Sequence, residues 1–175
     1  MAVQMKRATK VALAGGLLGV GLGGFVDGIA LHQILQWHQM LSAITPPESM
    51  EAMKRNMAAD GWFHAAVWIA TFAGVLVLWT AVRRPGPLPP TRALLGNMMI
   101  GWGGFNLVEG IIDHHVLALH HVRDLPLHVP VYDWVFLLGG GIGFILIGLA
   151  LRAGRRRMPG YETERRSGRD RRLAY

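Results

Sequence analysis

Two stretches of this sequence carry the residues able to do chemistry. The first is Asp27-Gly28-Ile29-Ala30-Leu31-His32-Gln33-Ile34-Leu35-Gln36-Trp37-His38. The second is Glu109-Gly110-Ile111-Ile112-Asp113-His114-His115-Val116-Leu117-Ala118-Leu119-His120. They align without a gap, 82 residues apart, and each reads acid-Gly-Ile-x-x-His-x-(Ile/Val)-Leu-x-x-His. One carboxylate and two imidazoles per copy can ligate a metal ion or relay a proton. Cysteine is absent, which excludes disulfides and thiolate sites. An imidazole and carboxylate donor set suits Zn, Cu, Fe or Mn. No Ser or Cys sits in an elbow motif, so a hydrolase triad has no support. The HxxxH and HxxHH spacings of membrane hydroxylases and desaturases are missing as well.

The elements that must hold these residues are apolar and long. Hydrophobic residues make up 51% of the chain and charged residues 17%. The apolar residues gather in four runs, at about 11–31, 62–82, 94–112 and 134–151. Each is about 18–21 residues, enough to cross a ~30 Å hydrocarbon core as a helix. The expected fold is all-α: an integral membrane four-helix bundle of two tandem helix pairs, since a sustained internal period fixes the architecture. The expected organisation is a cytoplasmic N-terminus at 1–10, a transmembrane domain at 11–154 and a basic disordered cytoplasmic tail at 155–175. Within the domain, repeat 1 covers about 11–84 and repeat 2 about 93–154. The first run exceeds a signal-peptide core and lacks a small-x-small cleavage site, so it reads as a retained helix.

The net charge of +7 does not point to nucleic acid, because of where the charge sits. Lys6, Arg7 and Lys10 precede the first run, and Arg83, Arg84 and Arg92 lie between the second and third. Nine arginines fall between Arg152 and Arg172, whereas the other two loops hold only Lys54, Arg55 and Arg123. The positive-inside rule then puts both termini in the cytoplasm and the histidines near the outer face of the membrane.

An ideal α-helix sets further expectations. Gly15, Gly19 and Gly23 form a small-residue ladder for close helix packing, and Asp27 is its next rung. His32 falls about 140° from Asp27, and His38 falls on its face but ~16 Å higher. No two histidines are spaced i, i+3 or i, i+4, so ligands are expected from different helices. The expected metal set is Asp27, His32, His64, Glu109 and His114. Alternatively, His32 and His114 ligate one haem from opposite sides. His38, Asp113 and His120 are expected as supporting residues or a second site, His38 and His120 a turn or more above the rest. Asp60 and Asp133, each just before a Trp, read as helix N-caps. Plainer roles stand beside these: His38, His120, His121 and His128 as interfacial residues near helix C-termini, and Asp27 and Glu109 as polar glue between helices. A proton relay lacks carriers in the inner half of the chain.

With Gly24-Phe25-x-Asp27-Gly28-Ile29-x-x-His32-x-x-Leu35-x-x-His38 in view, the chain resembles an uncharacterised bacterial family of predicted four-span membrane proteins. The resemblance covers about residues 10–155. It implies copper or haem, in association with cytochrome oxidase assembly, and it implies variation between Gln and His at the position of Gln39. A metal-holding accessory protein, a proton- or metal-coupled transporter and a membrane oxidoreductase are the functions to separate. The expected partners are the lipid bilayer and either another membrane protein or a second copy of the chain.

Overall fold

In a computed structural model, residues 2–154 are described, with side chains from Arg7 onward, so the expected tail at 155–175 lies outside the described residues. Four helices follow one another, with no strand among the described residues. Helix α1 is α-helical over Ala2–Val26 and π-helical over Asp27–Ile34. Helix α2 is Met50–Val82. Helix α3 is α-helical over Thr91–Glu109 and π-helical over Gly110–Val116. Helix α4 runs Val131–Val135, Phe136–Gly143 and Phe144–Ala153, its middle section π-helical.

Helices α1 and α3 form the centre. α2 packs on α1, α4 packs on α3, and α1 and α3 pack on each other. The glycine ladder permits the central contact. A Cβ on Gly19 would lie 2.0 Å from the Met98 carbonyl oxygen, so the two backbones touch where any side chain would hold them apart. Leu13, Ile69, Val75, Trp79 and Leu146 stay exposed on the flanks, as lipid-facing residues do.

Three helical segments are long and apolar enough to cross a membrane: Arg7–Ile34, Met50–Val82 and Val131–Ala153. Helix α3 is not among them. It carries buried Asn97, Asn106 and Glu109 and is shielded by α1 and α4. Helix α2 begins twelve residues before its apolar run at 62–82. Ser49 caps it, its hydroxyl accepting from the Ala52 amide at 3.1 Å. The polar stretch from Met50 to Gly61 is therefore the first part of α2.

At the end holding the termini, the buried Arg7 guanidinium donates to the carbonyls of Gly86 and Val82, fastening α1 to the α2–α3 connector. At the opposite end, both motif helices finish the same way. Gln36 and Ala118 adopt left-handed backbones (φ 52° and 45°), and the chain turns back. The two loops beyond are tied together. Ala43 N donates to Leu119 O at 3.0 Å, Asp124 N donates to Trp37 O at 2.9 Å, and the Ser42 hydroxyl donates to Asp124 Oδ2 at 2.7 Å.

Candidate metal centre

The π-helical segments decide which side chains meet. In a π turn the amide bonds to the carbonyl five residues back, which widens the helix and stacks residue i over i+5. Asp27 and His32 are five apart, and so are Glu109 and His114. His32 Nε2 accordingly lies 3.0 Å from Asp27 Oδ2. Gly28 lets this turn pack tightly, since a Cβ there would lie 2.4 Å from His64 Nε2.

The helices end a residue or two before the left-handed turns. Trp37 N then bonds to Leu31 O at 2.9 Å, and Leu119 N to Asp113 O at 2.8 Å. The reversal carries His38 Nε2 to 3.9 Å from Asp27 Oδ1 and His120 Nε2 to 3.7 Å from Glu109 Oε1. Three expectations from ideal helix geometry are thereby corrected. His32 is not on another face from Asp27, His38 is not a further ~16 Å along the helix, and each motif copy gathers its own three side chains. The two groups are Asp27, His32, His38 and Glu109, His114, His120, all six buried and each group's donor atoms within 4.8 Å of one another.

The two groups adjoin. The rings of His38 and His120 stack at 4.6 Å, His32 lies 4.4 Å from His38, and His114 lies 4.8 Å from His120.

Each loop orients the other's histidine. His38 Nδ1 donates to Val122 O at 2.9 Å, and His120 Nδ1 donates to Met40 O at 3.3 Å. A carbonyl only accepts, so the proton of each neutral ring sits on Nδ1 and Nε2 turns a lone pair towards the carboxylate. His120 lies beyond the end of α3, and burial drives its imidazole well below the usual range, with His38 and His114 adding to the effect.

Asp60 and Asp133 stand behind the two groups, and neither is an N-cap. Asp60 lies deep within α2, where Oδ1 accepts from Met40 N at 2.8 Å and from His32 Nδ1 at 3.0 Å. Asp133 lies in the first turn of α4, where Oδ1 accepts from Val122 N at 2.8 Å and lies 3.4 Å from His114 Nδ1. A carboxylate behind a ligating imidazole fixes its tautomer and orientation. Sequence reasoning missed these roles. The available signal was the shared placement of both acids before a Trp, together with the i, i+5 acid-to-His spacing in both motifs.

The remaining candidates fall elsewhere. His64 hydrogen-bonds its own helix through Asp60 O at 2.7 Å, and its ring is 6.5 Å from His32. Asp113 joins neither group. A cavity of about 920 Å³, lined by His32, Gln36, Trp37, Asp60, His64 and Arg123 among others, leads to the first group.

Most of the inward-facing atoms lack a hydrogen bond: Asp27 Oδ2, His32 Nε2, His38 Nε2, both Glu109 oxygens, both His114 nitrogens and His120 Nε2. His32 Nε2 and Asp27 Oδ2 are only 3.0 Å apart yet are not aligned as donor and acceptor. Ligands ~2.0–2.2 Å from a tetrahedral ion stand about 3.4 Å from each other. The observed 3.0, 3.7 and 3.9 Å bracket that spacing. Buried polar groups left without partners are costly, and a cation among these atoms could meet both the lone pairs and the carboxylates.

The family described as predicted membrane protein (DUF2243) matches residues 14–155, and the chain belongs to it. No curated protein and no solved structure matches the chain.

Proposed function

We propose that this membrane protein holds two divalent transition-metal ions side by side. Asp27, His32 and His38 would take one ion, and Glu109, His114 and His120 the other. The observation that carries this reading is the convergence of tautomer-fixed Nε2 lone pairs on buried carboxylates that they do not hydrogen-bond. Charge supports it too. Two divalent ions would balance the four buried carboxylates Asp27, Asp60, Glu109 and Asp133. Each group is a two-histidine, one-carboxylate set, which fits Fe, Zn, Mn or Cu(II) and leaves coordination positions open. Such ions supply Lewis-acid or redox chemistry at those open positions. Haem fits less well, because the stacked rings of His38 and His120 stand between His32 and His114, where a macrocycle would have to lie.

The wider reading is an accessory protein of the bacterial inner membrane, holding its metal near the outer face for respiratory assembly. In it, all four helices cross the bilayer as two tandem pairs, with both termini in the cytoplasm. The recurrence of the same contacts 82 residues apart supports the tandem pairs. The distribution of Lys and Arg supports the orientation. Transport is less well supported, because Gly19 brings two backbones into contact across the half that has no ionisable carriers.

Elemental analysis of detergent-purified protein after loading tests the reading. After a brief chelator wash that strips exposed sites, two metal equivalents per chain are expected, and both are expected to be lost in His38→Ala/His120→Ala with helical circular dichroism retained. A chain that takes no metal, or a variant that keeps both ions, would overturn it.

A further inference from the structure

A third group of ligating side chains stands at the rim, outside the paired centre. His128 Nε2 hydrogen-bonds Asp133 Oδ2 at 3.1 Å, His121 Nδ1 lies 3.3 Å from the same oxygen, and the two imidazoles stack at 4.0 Å. The three donor atoms lie within 4.8 Å of one another. Unlike the inner groups, this one opens outward. The side chain of His128 is 40% exposed and that of His121 22%. His121 Nδ1 is buried and has no hydrogen-bond partner, although a carboxylate oxygen stands beside it.

The group is built rather than casual. Asp133 is itself buried, and the Val122 amide pins its Oδ1, which leaves Oδ2 for the two imidazoles. The His121 amide donates to Asp124 Oδ2 at 3.1 Å, and Ser42 of the other loop holds that same oxygen. The position equivalent to His121 in the first motif, 82 residues earlier, is Gln39, so the group occurs once.

Its place matters as much as its composition. One oxygen of Asp133 faces the rim, and the other lies 3.4 Å from His114 of the inner centre. We infer that His121, His128 and Asp133 form an exchangeable site for a divalent transition-metal ion, which captures the ion at the surface and passes it inward past Asp133 to the Glu109 group. The capture step stands alone, whereas the delivery step rests on the paired centre proposed above. An exposed two-imidazole, one-carboxylate site exchanges ligands with solvent readily, and a buried one does not, so the two differ in rate.

Cu(II) titration of the metal-free full chain, followed by electron paramagnetic resonance, tests both steps. Wild type is expected to take three equivalents, one of them rapidly removed by chelator and showing imidazole nitrogen coupling. In His121→Ala/His128→Ala that equivalent is expected to be lost, and filling of the slower of the other two, the Glu109 group, to slow at least tenfold. His38→Ala/His120→Ala is expected to keep the rapid equivalent alone. Three equivalents in His121→Ala/His128→Ala would overturn the rim site, and an unchanged filling rate would overturn delivery. A wild type that takes only the rapid equivalent would overturn the paired centre and delivery while supporting capture.

Discussion

The two buried groups use the same ligand types in the same order, yet they are held with different tightness. In the first, His32 is clasped between Asp27 and Asp60, 3.0 Å from each, and its Nδ1 makes a proper hydrogen bond. In the second, His114 stands 3.4 Å from Asp133, and neither ring nitrogen is hydrogen-bonded. The acids differ as well. Asp27 has a short arm and both imidazoles of its group beside it, whereas Glu109 has one more methylene and leaves both oxygens unpaired. Asp60 serves one imidazole, while Asp133 is shared among three. A preorganised ligand set loses less freedom on binding, and a loose set adjusts more easily. Under the proposed function, the difference would separate a group arranged to keep an ion from one arranged to receive it.

Removing the acids probes this division most strongly. Asp27→Asn and Glu109→Gln are each expected to cost one of the two inner ions. The ion kept in Glu109→Gln should leave more slowly, by tenfold or more, than the ion kept in Asp27→Asn. Elemental analysis against time in chelator reads both numbers, and equal release rates would erase the distinction between the groups. The supporting acids should have a smaller effect. Loss of a carboxylate behind a ligating histidine typically weakens metal binding 10–100-fold. For the buried ion of its own group, Asp60→Asn is expected near the upper end of that range and Asp133→Asn near the lower end, because Asp60 hydrogen-bonds His32 whereas His114 has no hydrogen bond. Asp133→Asn also removes a ligand of the rim site, so the rim ion is stripped before the titration. Competition titration with a chromophoric chelator measures the pair, and a larger loss in Asp133→Asn would reverse the assignment.

The mildest effect is on stability against pH in the metal-free protein. His120 is held neutral by burial, so its folded pKa lies below its unfolded one. The unfolded chain then binds the extra proton, and stability falls as pH drops through the ordinary histidine value near 6.5. One such group costs about 0.8 kcal/mol at pH 6. Thermal unfolding in detergent at pH 8 and pH 6 should show the loss as a difference between wild type and His120→Gln, which lacks this group.

Much of the architecture was legible in the sequence. Charge-free runs announced helices, and the Gly15-Gly19-Gly23 ladder announced the central seam, because both depend on side-chain type alone. The chemistry-bearing residues could also be named, since ionisable groups amid apolar runs stand out. Their mutual geometry could not be read. Wheel arithmetic assumes 3.6 residues per turn, and the π turns at Asp27–Ile34 and Gly110–Val116 break that assumption at the very residues of interest. The same arithmetic assumes that the helix continues, so it carried His38 away from Asp27 when the chain in fact reverses at Gln36. Asp60 was misread for a related reason. Asp before a tryptophan and an apolar run looks like a cap, and the polar stretch that extends α2 back to Met50 has no hydrophobic period to reveal it.

The left-handed backbones at Gln36 and Ala118 bear on how this protein tolerates change. A residue with a Cβ costs roughly 1–2 kcal/mol in that conformation, and glycine would avoid the cost. Laboratory evolution for heat resistance alone would therefore be drawn to Gln36→Gly and Ala118→Gly. The same changes would free the two turns that aim His38 and His120, so the winners of such a screen would be sturdier chains with blunted grip on their ligand.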